Sequence, residues 1–331
     1  TNLYFILIFK NIIFFSIIFF SLYIFCKSLN KKYLIFFTIL IIFFYNFYNL
    51  TTLLNFVFAD AYIGIILPSM YLILISKYQY RHVVLSIFIF FLFFMKTTVF
   101  LSLFAISILF ILLEKNLNIL RRFIPIFIFI ISVLIWGFFG YSKTGVFPVG
   151  AKVSSDNQLA LSITLNKNFH KYYPLKSVDL IPRKKVNIKF QDEWEMYNYY
   201  KKINKDYIEN NKKQIFKDIL SKIKFVLFNV KKDAVYPDEN GNFNNPFMFS
   251  HFYNRLIAII SIFLFLFALF KKGEEIRNKK IDIYFIVIYI TSITPHIIGW
   301  CTSKHLVGIF LITHVYVLLK IYDKFLEKND I

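Results

Sequence analysis

Apolar and polar residues fall along this chain in long alternating blocks. Nine apolar runs stand out, at 12–25, 33–47, 62–75, 83–95, 99–113, 123–139, 256–270, 283–298 and 306–321. Short basic links at 27–32, 77–81, 114–122 and 271–280 separate several of them. A run of this kind is what a helix needs to cross a bilayer, where every backbone group must be satisfied internally. The pattern predicts an α-helical polytopic membrane protein with about nine transmembrane helices.

The fourth and fifth runs pose a choice. Between Val83 and Leu113 the only charged residue is Lys96. As one helix, this stretch would put Arg81 and Arg121–Arg122 on opposite faces of the membrane. As two helices turning near Lys96, Thr97 and Thr98, it puts every basic link on one face, as the positive-inside rule asks. The hairpin is therefore preferred. Each half then reaches about 22 Å, short of a hydrocarbon core of about 30 Å. The turn is expected to be recessed into the outer leaflet, against protein or a wet cavity.

This map gives a first transmembrane domain over 1–140 with about six helices, an external (periplasmic) block over 141–250, and about three further helices over 251–331 ending in a short cytoplasmic tail. The external block has no stretch apolar enough to span. Residues 193–228 read as helix, and "KQIFKDILSKIKFVLF" places Ile215, Phe216, Ile219, Ile223 and Leu227 on one face. That face either rests on the membrane surface or packs on the block's own core. "PDENGNFNNP" at 237–246 is turn chemistry.

Composition agrees with this picture. The 331 residues are 58% hydrophobic and 21% aromatic, which excludes an ordinary soluble domain. The abundance of Phe, Ile, Tyr, Lys and Asn is also what an AT-rich genome encodes. The net charge of +20 falls mostly in short links and in the external block. It suits anionic lipid head groups rather than nucleic acid, for which there is no motif. Cys26 and Cys301 lie in or beside apolar runs without metal-ligand spacing and read as packing residues.

Five residues are candidates for chemistry. Lys96 either snorkels from a short hairpin or neutralises a phosphate in a recessed cavity. Asp60 either caps the third run or faces that same cavity. Lys304 and His305 stand at the outer mouth of the last run, as interfacial anchors or as an anion site. Lys10 is a further cation at the outer end of the first run. His314 is a lone histidine and reads as a packing or hydrogen-bonding residue. Four scattered cationic positions on one leaflet, with a carboxylate among them, suit a phosphate-linked lipid. No metal box, Gly-rich phosphate loop, Gly-x-Ser-x-Gly or HExxH is present.

Several stretches, taken in order, resemble the GT-C membrane glycosyltransferases, including protein O-mannosyltransferase-like enzymes and the aminoarabinose transferase of lipid A. "KNIIFFSIIFFSLYIFCKSL" from Lys10 is similar to the helix that follows the family's first external loop. "FADAYIGIILPSMYLILIS" from Phe58 resembles a helix headed by an acidic residue. "FFMKTTVFLSLFAISILF" from Phe93 resembles the Leu-x-Lys-x-x segment. "TSKHLVGIFLITHVYVLL" from Thr302 resembles the terminal helix, with Val307 or Gly308 where relatives have Pro. "DEWEMYNYYKKINKDYIENN" from Asp192 resembles a Glu-rich external helix.

The resemblance implies a glycosyltransferase of the inner (plasma) membrane. It would move a sugar from a polyprenyl-phosphate donor to a lipid, glycan or protein acceptor, with inversion. It implies phosphate binding by Lys96 and Lys304, supported by His305 and Lys10, and an orienting role for Asp60. Family members differ on a divalent metal, so no cofactor is assigned. The family's catalytic carboxylate lies in a loop before the helix that Lys10 heads. We therefore expect the main base upstream of Thr1, with Asp60 the alternative within this chain. Two rivals remain: a polysaccharide polymerase or ligase, which would lean on external arginines, and a lipid-linked sugar flippase or transporter, which would show paired halves. The external block holds Arg183, with Arg255 at its edge, and no internal repeat is seen.

Overall fold

The computed structural model describes residues 3–28, 59–95, 99–145, 147, 191, 193–228, 248–270, 276–298 and 303–329. Among these residues the regular structure is helical throughout. The helices are α1 (Leu3–Ser28), α2 (Ala59–Ile75), α3 (Arg81–Met95), α4 (Phe100–Leu113), α5 (Ile119–Thr144), α6 (Glu193–Asn210), α7 (Lys212–Phe228), α8 (Met248–Phe270), α9 (Ile276–Ile298) and α10 (Ser303–Asn329).

Among the described residues, four helices are long and apolar enough to cross a membrane, at Phe5–Lys27, Ile119–Lys143, Phe249–Phe270 and Lys279–Ile298. The apolar stretches Ile63–Ile75, Arg81–Met95, Phe100–Leu113 and Leu306–Ile321 are shorter. The expected run at 33–47 lies outside the described residues. Large apolar side chains such as Phe5, Leu120, Phe263, Phe267 and Phe270 stand exposed on the long helices. A soluble protein avoids such a surface, and a lipid-facing one requires it. The chain is a helical membrane protein.

The chain divides into two compact units. One comprises Thr1–Ser132, Ser250–Ser292 and Lys304–Ile331, the other Val133–Phe249 and Ile293–Ser303. In the first unit α1 packs on α2, and α2 on α3. Its core is aromatic: Tyr71, Tyr284, Tyr316, Phe25, Phe110 and Phe285 are fully enclosed. Phe285 and Tyr316 stack with ring centroids 3.8 Å apart. α2 and α10 approach closely at Gly308. A Cβ there would meet the Ile63 carbonyl oxygen at 3.1 Å and Gly64 Cα at 3.3 Å.

The break between α3 and α4 falls where the charge pattern placed it. α3 stops at Met95 and α4 starts at Phe100. Their far ends meet, because the Arg81 guanidinium bonds the Glu114 carboxylate. The two helices therefore form an antiparallel hairpin. Arg122 ties the start of α5 to the end of α4, its Nε donating to the Ile111 carbonyl at 3.0 Å. That carbonyl lies in the last turn of α4, where no helical N–H reaches it.

In the second unit, α5 ends in a left-handed cap. Gly145 has φ 69° and its N–H donates to the Tyr141 carbonyl at 2.8 Å. Glycine carries no Cβ penalty there. α6 and α7 follow one another and touch.

Candidate functional site

Two polar groupings lie inside the first unit. One gathers at the start of α9. Glu114, fully buried, receives Arg81, Lys280 Nζ at 3.1 Å on Oε2, and the Tyr284 hydroxyl at 3.2 Å on Oε1. Arg81 also donates to the Ser76 carbonyl at 2.6 Å, just past the end of α2. Midway between Lys280 and Tyr284 on α9, Asp282 receives the Tyr316 hydroxyl at 2.6 Å and Lys320 Nζ at 2.8 Å. The Tyr71 hydroxyl donates to the Ile281 carbonyl at 3.2 Å. Glu114 draws its donors from α3 and α9, and Asp282 draws Tyr316 and Lys320 from α10. That arrangement ties helix ends together and leaves little room for a ligand on either carboxylate.

This tie fixes helix direction. The ends of α2 and α4 and the starts of α3 and α9 all lie at it. α10 joins it through Tyr316 and Lys320, and touches α2 eight residues earlier at Gly308. Since Ile63 precedes Tyr71 by the same interval, α2 and α10 run parallel. The starts of α2, α4 and α10 therefore share the opposite end of the unit. α9 returns toward that end, where the Ser292 and Ser102 hydroxyls lie 2.8 Å apart and Thr291 Oγ1 donates to Ser102 at 3.2 Å.

The candidates named from sequence can now be placed. Asp60 heads α2, eleven residues before Tyr71, or about 16 Å along the axis. Lys304 and His305 head α10, with Lys304 twelve residues before Tyr316, or about 18 Å. Val99, the first described residue between α3 and α4, lies about 22 Å before Glu114. The backbone thus carries Asp60, Lys304 and His305 to the same end as the head of α4. Their side chains lie outside the described residues, as does Lys96 altogether. Lys10 is described: it is 2% exposed in α1, with Nζ 5.1 Å from the Phe14 ring centroid.

The second polar grouping was not singled out from sequence as a site. His251, Asn254 and Arg255, in the first turns of α8, are all buried, Arg255 at 2% exposure. Their i, i+3, i+4 spacing puts them on one helix face. The Arg255 guanidinium lies 5.7 Å from the Phe310 ring centroid of α10, and Nη1 donates to the His251 carbonyl at 3.3 Å. The Tyr253 ring sits 5.5 Å from the His314 imidazole, which bonds the Phe310 carbonyl through Nδ1. So His314 packs and hydrogen-bonds, as its surroundings suggested. Phe310 follows Lys304 by six residues, so Arg255 lies about 9 Å further down the α10 axis. The signal for it was present in "SHFYNRL" at 250–256, where polar residues recur at helical spacing ahead of an apolar run.

Chemically, this end offers cations at two depths. Lys304 and His305 are placed by backbone at the head of α10, and a buried guanidinium lies further along that helix with a histidine and an asparagine on its own helix face. Guanidinium groups suit phosphate oxygens because their N–H donors form a planar fork. Among the described residues, no three His, Cys, Asp or Glu side chains converge on a metal position. No family model, curated protein or solved structure matches this chain.

Proposed function

We propose that the chain is an integral membrane glycosyltransferase of GT-C type. It takes a sugar from a polyprenyl-phosphate donor at the end of the first unit where α2, α4 and α10 begin. The observation that carries the reading is the buried Arg255 beside Phe310, one to two turns below the head of α10. An ionised side chain inside an apolar helix is costly, and where it occurs it usually serves a ligand or a pathway. A lipid carrier delivers its phosphate at that depth from within the bilayer, and the rim cations Lys304, His305 and Lys96 meet the same group from above.

In this reading the acceptor oxygen bonds to the anomeric carbon as the carbon–phosphate-oxygen bond breaks. The electron pair leaves with the phosphate. Cations stabilise that charge most where water is scarce. A carboxylate takes the acceptor proton. Asp60 is the carboxylate that the backbone brings to this end, and it orients donor or acceptor there. This end faces the outside of the plasma membrane, and the Glu114 end faces the cytoplasm.

The test is donor binding in nanodiscs, measured by native mass spectrometry with a polyprenyl-phosphate hexose. Arg255→Met and Lys304→Met should each weaken binding tenfold or more, about 1.4 kcal/mol per decade. Equal affinity in the parent and both variants would return Arg255 and Lys304 to packing and anchoring roles.

A further inference from the structure

α7 carries a surface that the candidate site does not use. Lys213, Phe216, Lys217, Leu220, Lys224 and Phe228 recur at three- and four-residue intervals and so form one continuous strip along the helix. Every one of them is exposed, Phe216 at 63% and Phe228 at 60%. The neighbouring face, with Ile215, Ile219 and Ile223, is only half-exposed. The apolar side of this helix is thus split. One part is partly covered, and a second part is open and lined by lysines.

We propose that this strip of α7 lies on the bilayer surface and binds anionic lipid head groups. Phe216, Leu220 and Phe228 enter the head-group boundary, while Lys213, Lys217 and Lys224 extend their stems along it and place their ammonium groups among phosphates. Charge selects this occupant. α7 holds five lysines against the single acid Asp218. A second copy of the same strip would set lysine against lysine. A bilayer is also always at hand, since the same chain has helices long and apolar enough to cross one. Each lysine near an anionic surface adds to the attraction, and apolar anchors convert it into residence.

The experiment uses the full chain in nanodiscs, with Cys301→Ala and single substitutions Phe216→Cys, Leu220→Cys and Gln214→Cys carrying a bimane label. Gln214 lies about 100° around the helix from the midline of the strip. Lipids bearing a shallow nitroxide supply the quencher. In phosphatidylglycerol-containing discs the labels at 216 and 220 should lose intensity and shift blue, and the label at 214 should not. Both effects should fall in phosphatidylcholine discs and with Lys213, Lys217 and Lys224 together changed to Gln. Quenching at 216 and 220 no greater than at 214 would mean that protein covers the strip. Equal quenching in both lipids would overturn the role of the lysines. Either result defeats the proposal.

Discussion

Arg81 and Glu114 form an ion pair across 33 residues of chain, with the Glu114 side chain fully buried. The pair joins the first residue of α3 to the residue that ends α4. It closes a hairpin whose two arms are each too short to cross a membrane squarely. Lys280 and Tyr284 reach the same carboxylate, so one side chain holds the ends of three helices.

Loss of that carboxylate should therefore act on stability. Removing one partner of a buried pair leaves a desolvated charge behind, at a cost of about 3 kcal/mol or more. Glu114→Gln should lower the thermal unfolding midpoint in detergent markedly. Adding Arg81→Met should cost much less than it does alone, because the stranded guanidinium is then gone. Additive effects of the two changes would show that the pair contributes nothing as a pair.

Sidedness follows from the same contact. Cysteine reporters at Tyr78, Lys115 and Lys279 should all label from one side of the membrane. A reporter at Ser142, at the other end of the long helix α5, should label from the opposite side. Labelling of Tyr78 and Lys115 from different faces would contradict the hairpin.

Gly308 sets how close α2 and α10 come. Gly308→Ala should lower stability modestly, because a methyl group 3.1 Å from the Ile63 oxygen forces a small separation. Gly308→Leu should be far worse, since overpacking costs about 1–3 kcal/mol and the neighbour here is backbone that cannot rotate away. Unfolding midpoints in detergent, compared with Gly137→Ala as a second crowded glycine, provide the measurement. At Gly137 a Cβ would fall 2.0 Å from the Phe147 ring, a side chain that can move aside.

Lys96 separates anchoring from catalysis. Lys96→Met keeps the apolar stem and removes the charge. If the residue only snorkels, the change is neutral or stabilising, because a costly ion has left the membrane. If it holds the donor phosphate, turnover falls about 10²–10³-fold while the unfolding midpoint holds. Lys96→Arg should restore activity only in part, since a planar fork replaces a compact ammonium. Turnover assays on the purified protein with a polyprenyl-phosphate sugar decide between the two.

Helix positions were legible because apolar runs and basic links carry opposite signals, and the α3–α4 break was legible because charge parity forced it. Lys10, Asp60, Lys304 and His305 were legible as ionisable residues at run ends. The grouping of His251, Asn254 and Arg255 needed a different scale of reading, in which three polar residues share one helix face ahead of a greasy run. The Glu114 tie was not legible, because residues 77–81, 114–122 and 271–280 served as markers of sidedness. Whether such charges face water or one another depends on which helix ends the fold brings together. Asp282 escaped notice for that reason: its partners Tyr316 and Lys320 lie more than thirty residues away.

The contact at Gly308 also bears on how this sequence can drift. Glycine is read from codons that begin with two guanines, and any amino-acid change there adds at least one carbon. The chain has 44 phenylalanines against nine glycines, a balance that suits AT-rich coding. Drift in that direction exchanges one large apolar residue for another along most of a lipid-facing helix at little cost. At position 308 the same drift drives two backbones apart. Saturation mutagenesis should find a position that accepts almost nothing, set among neighbours that accept nearly any apolar residue.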